Sequence, residues 1–302
     1  MRLDRWCLAL ALLLLSFGIA RDATDRWIAA TDLPVLLTDT SVEVLDRNGQ
    51  LLRLYTVDDG RWRLATSLDA VDPGYVDMLI AYEDKRFYRH NGLDPRAMMR
   101  ALGQAVWHGE VVSGGSTLTM QVARLLEDSG TGRLRGKLRQ IRVALALERA
   151  LSKDDILTLY LARAPFGGNL EGVRAASLAW FGKEPRRLTP AQSALLVALP
   201  QAPEARRPDK GRRAAELARD RVLERMVTNG TLTQDTARAA LTEPVPVNRR
   251  AFPALAPHLT DRAKTEDPTR LTHHLTVDAS LQARMETLAQ TALRGLPDDL
   301  SV

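Results

Sequence analysis

The sequence predicts a mainly α-helical protein, with a small β-hairpin region and an apolar N-terminal segment ahead of the helices. Three observations predict it. From residue 67 to 242, apolar residues recur at helical spacing behind Asp-Pro and Thr-Pro starts. Between residues 34 and 66, two short apolar runs flank Asn48-Gly49, whose residues tolerate the positive φ of a tight hairpin. At the N-terminus, Trp6 to Ala20 is an unbroken, weakly polar run behind the basic leader Met1-Arg2-Leu3-Asp4-Arg5.

The N-terminal run, of about fifteen residues, has signal-core length and is short for a spanning helix, which needs about 20. Gly18 and Ala20 resemble a cleavage site, whereas Arg2 and Arg5 favour an uncleaved anchor with those residues on the cytoplasmic side. Both readings export the rest of the chain, and the anchor, over residues 1–22, is the one expected. Residues 21–34 read as a tether. Val42 to Leu45 and Leu51 to Tyr55 form the hairpin, and Asp58-Asp59-Gly60 turns the chain into Arg61 to Leu64.

The helical part, residues 67–242, begins at Asp72-Pro73, an N-cap followed by an N1 proline. Asp94-Pro95 starts the next helix, with Met98, Met99, Leu102, Val106 and Trp107. A third opens behind Gly114-Gly115-Ser116-Thr117, with Ser116 as the cap. A fourth runs from Leu134 to Leu151 with the stripe Leu134, Leu138, Ile141 and Leu145. Ser152 and Asp155 resemble a capping box for a helix through Tyr160. Helices follow over 171–180, behind Thr189-Pro190, over 212–228 up to the Asn229-Gly230 stop, and over 233–241. Pro244, Pro246, Pro253 and Pro257 mark a linker, 271–277 a strand, and Asp278 caps a last helix; residues 243–302 are thus read as linker and the start of a further domain.

A chain of 302 residues with 45% hydrophobic and 26% charged residues is that of a folded protein of one or two domains. The net charge of +5 and a pI near 9.6 suit an anionic partner. Nucleic acid is not expected, because only 5% of residues are aromatic and no groove reader is present. Cys7 stands alone, which excludes an internal disulfide. No metal site is expected, since no histidine set has ligand spacing.

Adjacent carboxylates, Glu83 and Asp84, follow the apolar run Met78 to Ala81. A carboxylate beside an apolar segment is a candidate general base, although a solvated helix end carries the same residues. On a continuous helix Glu83, Phe87 and His90 would share a face, with Asn91-Gly92 as its stop; His90 reads as a structural hydrogen-bonding residue. The Gly114–Thr117 stretch offers backbone N–H groups at a helix start, though such loops are often merely flexible. Beside it lie Arg124, Arg133, Arg135, Lys137, Arg139 and Arg142, either a solvated face or an anion-binding wall. Helical geometry separates Arg135, Arg139 and Arg142 from a line through Lys137, Gln140, Ala144 and Leu147.

E-D-x-x-F-x-x-H-x-G-x-D from Glu83 to Asp94 and G-G-S-T-L-T-M-Q from Gly114 to Gln121 together resemble signatures of the family 51 peptidoglycan glycosyltransferases. Lys137 to Gln140 and Ile156 to Leu161 are similar to two further ones. The loop Ala164-Pro165-Phe166-Gly167-Gly168-Asn169 and Leu199 to Pro203 resemble the penicillin-binding protein 1C subgroup. Leu275 to Gln290 is similar to the lead-in of that subgroup's transpeptidase domain, whose serine-x-x-lysine does not occur in this sequence, so the chain is expected to be truncated before it.

The resemblance implies a lysozyme-like helical domain on the periplasmic side of the inner membrane, held by a single-pass anchor and polymerising lipid II with inversion. It implies Glu83 as general base, and Asp84, Ser116, Thr117, Gln121, Arg124, Lys137 and Gln140 as substrate-binding residues. No cofactor is required by the residues; the resemblance allows a divalent cation, magnesium or manganese, near Asp84. The implied partners are lipid II, the growing glycan strand, the membrane and other cell-wall synthesis proteins. The Met98–Trp107 helix either dips into lipid or is core. The sequence departs from the family at Gln140, where glutamate is usual, and at Met120 and Ala162. The rivals are a lysozyme-like hydrolase, which has no diphosphate to hold, and a lipid II-binding scaffold without turnover.

Overall fold

A continuous helix opens the chain. In the structure, a computed structural model, residues 2–36, 39–108, 115–127 and 134–293 are described. Helix α1 (Arg2–Ala29) runs unbroken through the first nine residues of the expected tether, and its segment Trp6–Ala29 is long and apolar enough to cross a membrane. Arg21, Asp22, Asp25 and Arg26 interrupt the apolar run, which predicts an end near Ala20, yet all four are accommodated in helix.

The remaining elements follow in order: β1 (Val42–Leu45), β2 (Leu51–Tyr55), β3 (Trp62–Arg63), α2 (Pro73–Glu83), α3 (Pro95–His108), α4 (Leu118–Glu127), α5 (Leu134–Ala150) and α6 (Lys153–Arg163). Then come β4 (Leu170–Glu171), α7 (Val173–Phe181), α8 (Pro190–Ala198), α9 (Arg212–Thr228), α10 (Gln234–Thr242), α11 (Pro257–Glu266), β5 (Thr272–His274) and α12 (Ala279–Leu293). The protein is mainly α, as expected. Contacts divide it into two units, Met1–Leu37 with Glu83–Tyr160 and Thr38–Tyr82 with Leu161–Val302, a partition that cuts across the four segments read from the sequence.

In the second unit, β1 and β2 form the expected hairpin, with Val42 opposite Tyr55 and a bulge at Val44/Leu45. Strand β5 pairs parallel with β1, so the C-terminal residues complete the hairpin's sheet. The core is built on α8, buried nearly all round from Ala191 to Ala198 and packed on α9. Thr189 caps α8 in a full capping box with Gln192. Two expectations fail here. Glu171 lies in β4 rather than in helix, held by Arg63. Pro257 begins α11 instead of extending a linker; the preceding Ala256 takes φ 49° and its N–H donates to Glu286 Oε1 at 2.7 Å.

The first unit holds α1 and the helices from α3 to α5. Asp94 caps α3 as expected, its Oδ1 accepting from the N–H groups of Arg96 (3.0 Å) and Ala97 (3.2 Å). On α5 the buried line is Gln140, Val143, Ala144 and Leu147, not the stripe expected through Leu138, Ile141 and Leu145; Leu138 is half exposed. On α3, Met99 and Trp107 are exposed rather than core.

Candidate active site

The site starts where α2 ends. Periodicity would carry the helix on through Phe87 and His90, but it stops at Glu83 and a short 3-10 turn, Phe87–Arg89, follows. Asp84 explains the stop. Its buried carboxylate takes the His90 Nε2–H at 2.9 and 3.0 Å and the backbone N–H of Leu118 at 2.9 Å. The first of these places the His90 proton on Nε2, because an acceptor-only carboxylate needs a donor. The second sets a negative charge at the N-terminus of α4, where the helix dipole favours it. His90 is therefore a brace, as expected, while Asp84 acts as tether between the end of α2 and the start of α4.

The same helix start corrects the expected cap. Thr117, not Ser116, caps α4: its Oγ1 accepts the Met120 N–H at 3.1 Å and donates to the Gly92 carbonyl at 2.6 Å. Gly92 is not a helix stop but a point of close approach. Its φ is +87°, and a Cβ there would lie 3.0 Å from the Ala144 carbonyl oxygen of α5. With Thr117 committed to backbone, Ser116 is left to accept a hydrogen bond from Lys137 Nζ at 2.5 Å.

Glu83 and Asp84 thus have different work. Asp84 is anchored, and Glu83 receives a hydrogen bond from Gln121 Nε2 at 2.9 Å. Gln121 and Arg124 are three residues apart on α4 and share a face. Burial first, and Arg124 next, push the Lys137 pKa down. Among the described residues no ion pair joins Lys137 or Arg124 to a carboxylate. Gln140, one turn along α5 from Lys137, is buried. The structure so collects Glu83, Gln121, Arg124, Lys137 and Ser116 around α4, with Asp84 and Thr117 behind them.

Of the other cations in the wider basic cluster, two that are described have partners elsewhere. Arg139 pairs with Glu127 at 2.7 Å. Arg142 donates to the Trp27 and Ala30 carbonyls at 2.9 and 2.6 Å and lies over the Trp27 ring, so it closes the C-terminus of α1. Arg135 is exposed, and Gly114 and Arg133 lie outside the described residues. One contributor escaped the sequence reading. Buried Glu148 accepts from Thr119 Oγ1 at 2.5 Å and pairs with Lys153 at 2.6 Å, bracing α4 against α5. No helical spacing links these three residues, so no local signal marks them.

Both Asp84 oxygens accept hydrogen bonds from His90 and Leu118, and among the described residues no three His, Cys, Asp or Glu side chains cluster to hold a metal.

The family model described as transglycosylase matches residues 48–227, which include every residue of the site. Penicillin-binding protein 1C of Escherichia coli K12 is 41% identical over 296 residues, covering 97% of this chain and 37% of that protein. Penicillin-binding protein 1A of the same organism is 34% identical over 74% of this chain and 26% of its own length. The Rickettsia prowazekii penicillin-binding protein 1A is 31% identical over 83% of this chain and 33% of its own. The chain spans about a third of the length of these relatives. Both the matched family and the identity to these proteins reach well beyond the site, and the chain belongs to the transglycosylase family.

Proposed function

We propose that the chain is an inverting peptidoglycan glycosyltransferase that polymerises lipid II, with Glu83 as general base. Glu83 takes the proton from the acceptor sugar's 4-hydroxyl, that oxygen bonds to the donor's anomeric carbon, and the bond to the diphosphate breaks. Undecaprenyl diphosphate leaves with the electron pair. Lys137 and Arg124 stabilise the charge that develops on it. Gln121 orients Glu83, and Asp84 and His90 hold the backbone that carries it.

One observation carries this reading: Glu83 is hydrogen-bonded to the helix whose next turn bears Arg124, beside a Lys137 that meets a serine and no carboxylate. A hydrolase of neutral glycosidic bonds has no use for such cations. The α1 segment suits a single-pass anchor in the inner membrane with the residues that follow it on the periplasmic side, and exposed Met99 and Trp107 suit contact with lipid. The growing glycan strand and other cell-wall synthesis proteins are the partners this reading implies.

The replacement of glutamate by Gln140 favours one rival, a lipid II-binding scaffold, because an amide supplies no negative charge. Incubation of the full chain with labelled lipid II tests both. Long glycan polymer is the expected product. Binding without product would establish the scaffold, and shortening of pre-made strands a hydrolase.

A further inference from the structure

The loop Ala164–Asn169, singled out in the sequence, takes no part in the Glu83 site, and in the second unit it supports a cavity of about 500 Å³. Residues 249–254 cross this cavity as a strap tied at both ends by main-chain hydrogen bonds. The Arg250 N–H donates to the Ala179 carbonyl at 2.8 Å, and the Leu255 N–H to the Leu52 carbonyl at 2.9 Å. From behind, Asn169 fixes the wall: its Oδ1 accepts from Arg249 Nη1 at 2.8 Å, and its carbonyl accepts the Trp62 N–H at 2.9 Å. The glycine ahead of it is required by packing. Gly167 has φ +100°, and a Cβ there would lie 2.5 Å from Arg207 Cγ and 2.9 Å from the Pro203 carbonyl oxygen.

The lining combines two chemistries. Trp62 and Phe252, both half-buried, stand with ring centroids 4.8 Å apart, tilted by 54°, and form the aromatic part of the wall. Arg249 and Arg250 are also in the lining; the Arg249 guanidinium lies over the Phe252 ring, 5.8 Å from its centroid, that of Arg250 packs beside Gly182, and among the described residues no ion pair joins either to a carboxylate. Arg53, the other cation of the lining, is already paired with Asp261 at 3.2 Å. Burial, and after it the neighbouring Arg207, push the Arg249 pKa down. A volume in this range, an aromatic wall and a few convergent polar groups are the attributes of a small-ligand site. The flat rings suit the apolar face of a sugar, and the guanidinium forks suit a carboxylate.

We propose that this cavity is a second binding site, for a saccharide carrying pendant carboxylates, such as a glycan-strand segment with its attached peptides. The source of that ligand rests on the proposed function; the site itself rests on the cavity.

Calorimetric titration of the full chain in detergent, with an uncrosslinked disaccharide–peptide fragment of cell-wall glycan, tests it. Affinity should fall about tenfold or more in the Arg249→Gln/Arg250→Gln double variant and in Trp62→Ala. It should hold within about threefold in Trp62→Phe, which keeps an aromatic face. A neutral chito-oligosaccharide should bind about tenfold more weakly, and inorganic phosphate should not displace the fragment. Wild-type affinity in the double variant with an unchanged circular dichroism spectrum would overturn the proposal, as would equal binding of the neutral sugar or full displacement by phosphate. Polymerisation is read separately, so the fragment can bind in a chain that makes no polymer and fail to bind in one that does.

Discussion

In the second unit the buried Arg63 and the half-buried Arg174 are paired with carboxylates, whereas in the first the partly buried Lys137 and Arg124 meet none among the described residues. In the second unit Arg63 meets Glu171 at 2.5 Å, with both side chains buried. Arg174 reaches Glu43 at 2.5 Å and Glu184 at 2.8 Å; burial lowers its pKa, but these two carboxylates push it above the usual arginine range. In the first unit Lys137 is partly buried beside Arg124, and its hydrogen bond goes to a serine. A buried cation normally needs a partner, because removing it from water is costly. Under the proposed function, the partner that the fold does not supply to Lys137 and Arg124 is the diphosphate of the substrate.

The sharpest break of this contrast is Glu83→Gln. It removes the base and leaves the cations in place, so polymerisation should drop about 100- to 10,000-fold while lipid II binding and the thermal transition hold. Glu171→Ala breaks the opposite side. It removes the buried partner of Arg63, which keeps only the half-exposed Asp59 at 3.4 Å, and should lower stability by about 3 kcal/mol, read as a shift in the urea midpoint.

Lys137→Ala should act on the chemistry alone, slowing polymerisation about tenfold to a hundredfold, the worth of a hydrogen bond to a charged group, without lowering the melting temperature. The pH dependence follows from the same residue. Its folded pKa lies below that of ordinary lysine, so the cation that binds diphosphate is present at low pH and lost as pH rises through that lowered value. Diphosphate affinity should therefore fall on the alkaline side earlier than a solvated lysine would allow, and Lys137→Arg should move the fall upward. The smallest effect is expected of Gln140→Glu. A carboxylate one turn from Lys137 would favour its charged form, moving the alkaline fall upward and raising the rate by a few-fold at most; an unchanged pH profile would show that position 140 does not sense Lys137.

Much of the fold could be read locally. Asp72-Pro73, Asp94-Pro95, Thr189-Pro190 and Asp278 all start helices where their cap chemistry predicts, and Asn48-Gly49 turns the hairpin. What escaped was decided by distant partners. The end of α2 depends on Asp84 finding His90 and Leu118, and the choice of Thr117 over Ser116 as cap depends on the Gly92 carbonyl and on Lys137. The short strand at Glu171 depends on Arg63, and the start of α11 on Glu286. The site was legible as a set of residues, through adjacent carboxylates and a cationic cluster. The division of labour inside it was not, because which arginine serves α1, which serves Glu127 and which stays with Lys137 is settled only in three dimensions.

The central claim, that Lys137 and Arg124 are left for a diphosphate, is tested most directly by titrating a short-chain isoprenyl diphosphate into the full chain and into Lys137→Ala. Saturable binding that weakens about tenfold or more in the variant, with Glu83→Gln binding like wild type, is the predicted result. Equal affinity in wild type and Lys137→Ala would contradict it.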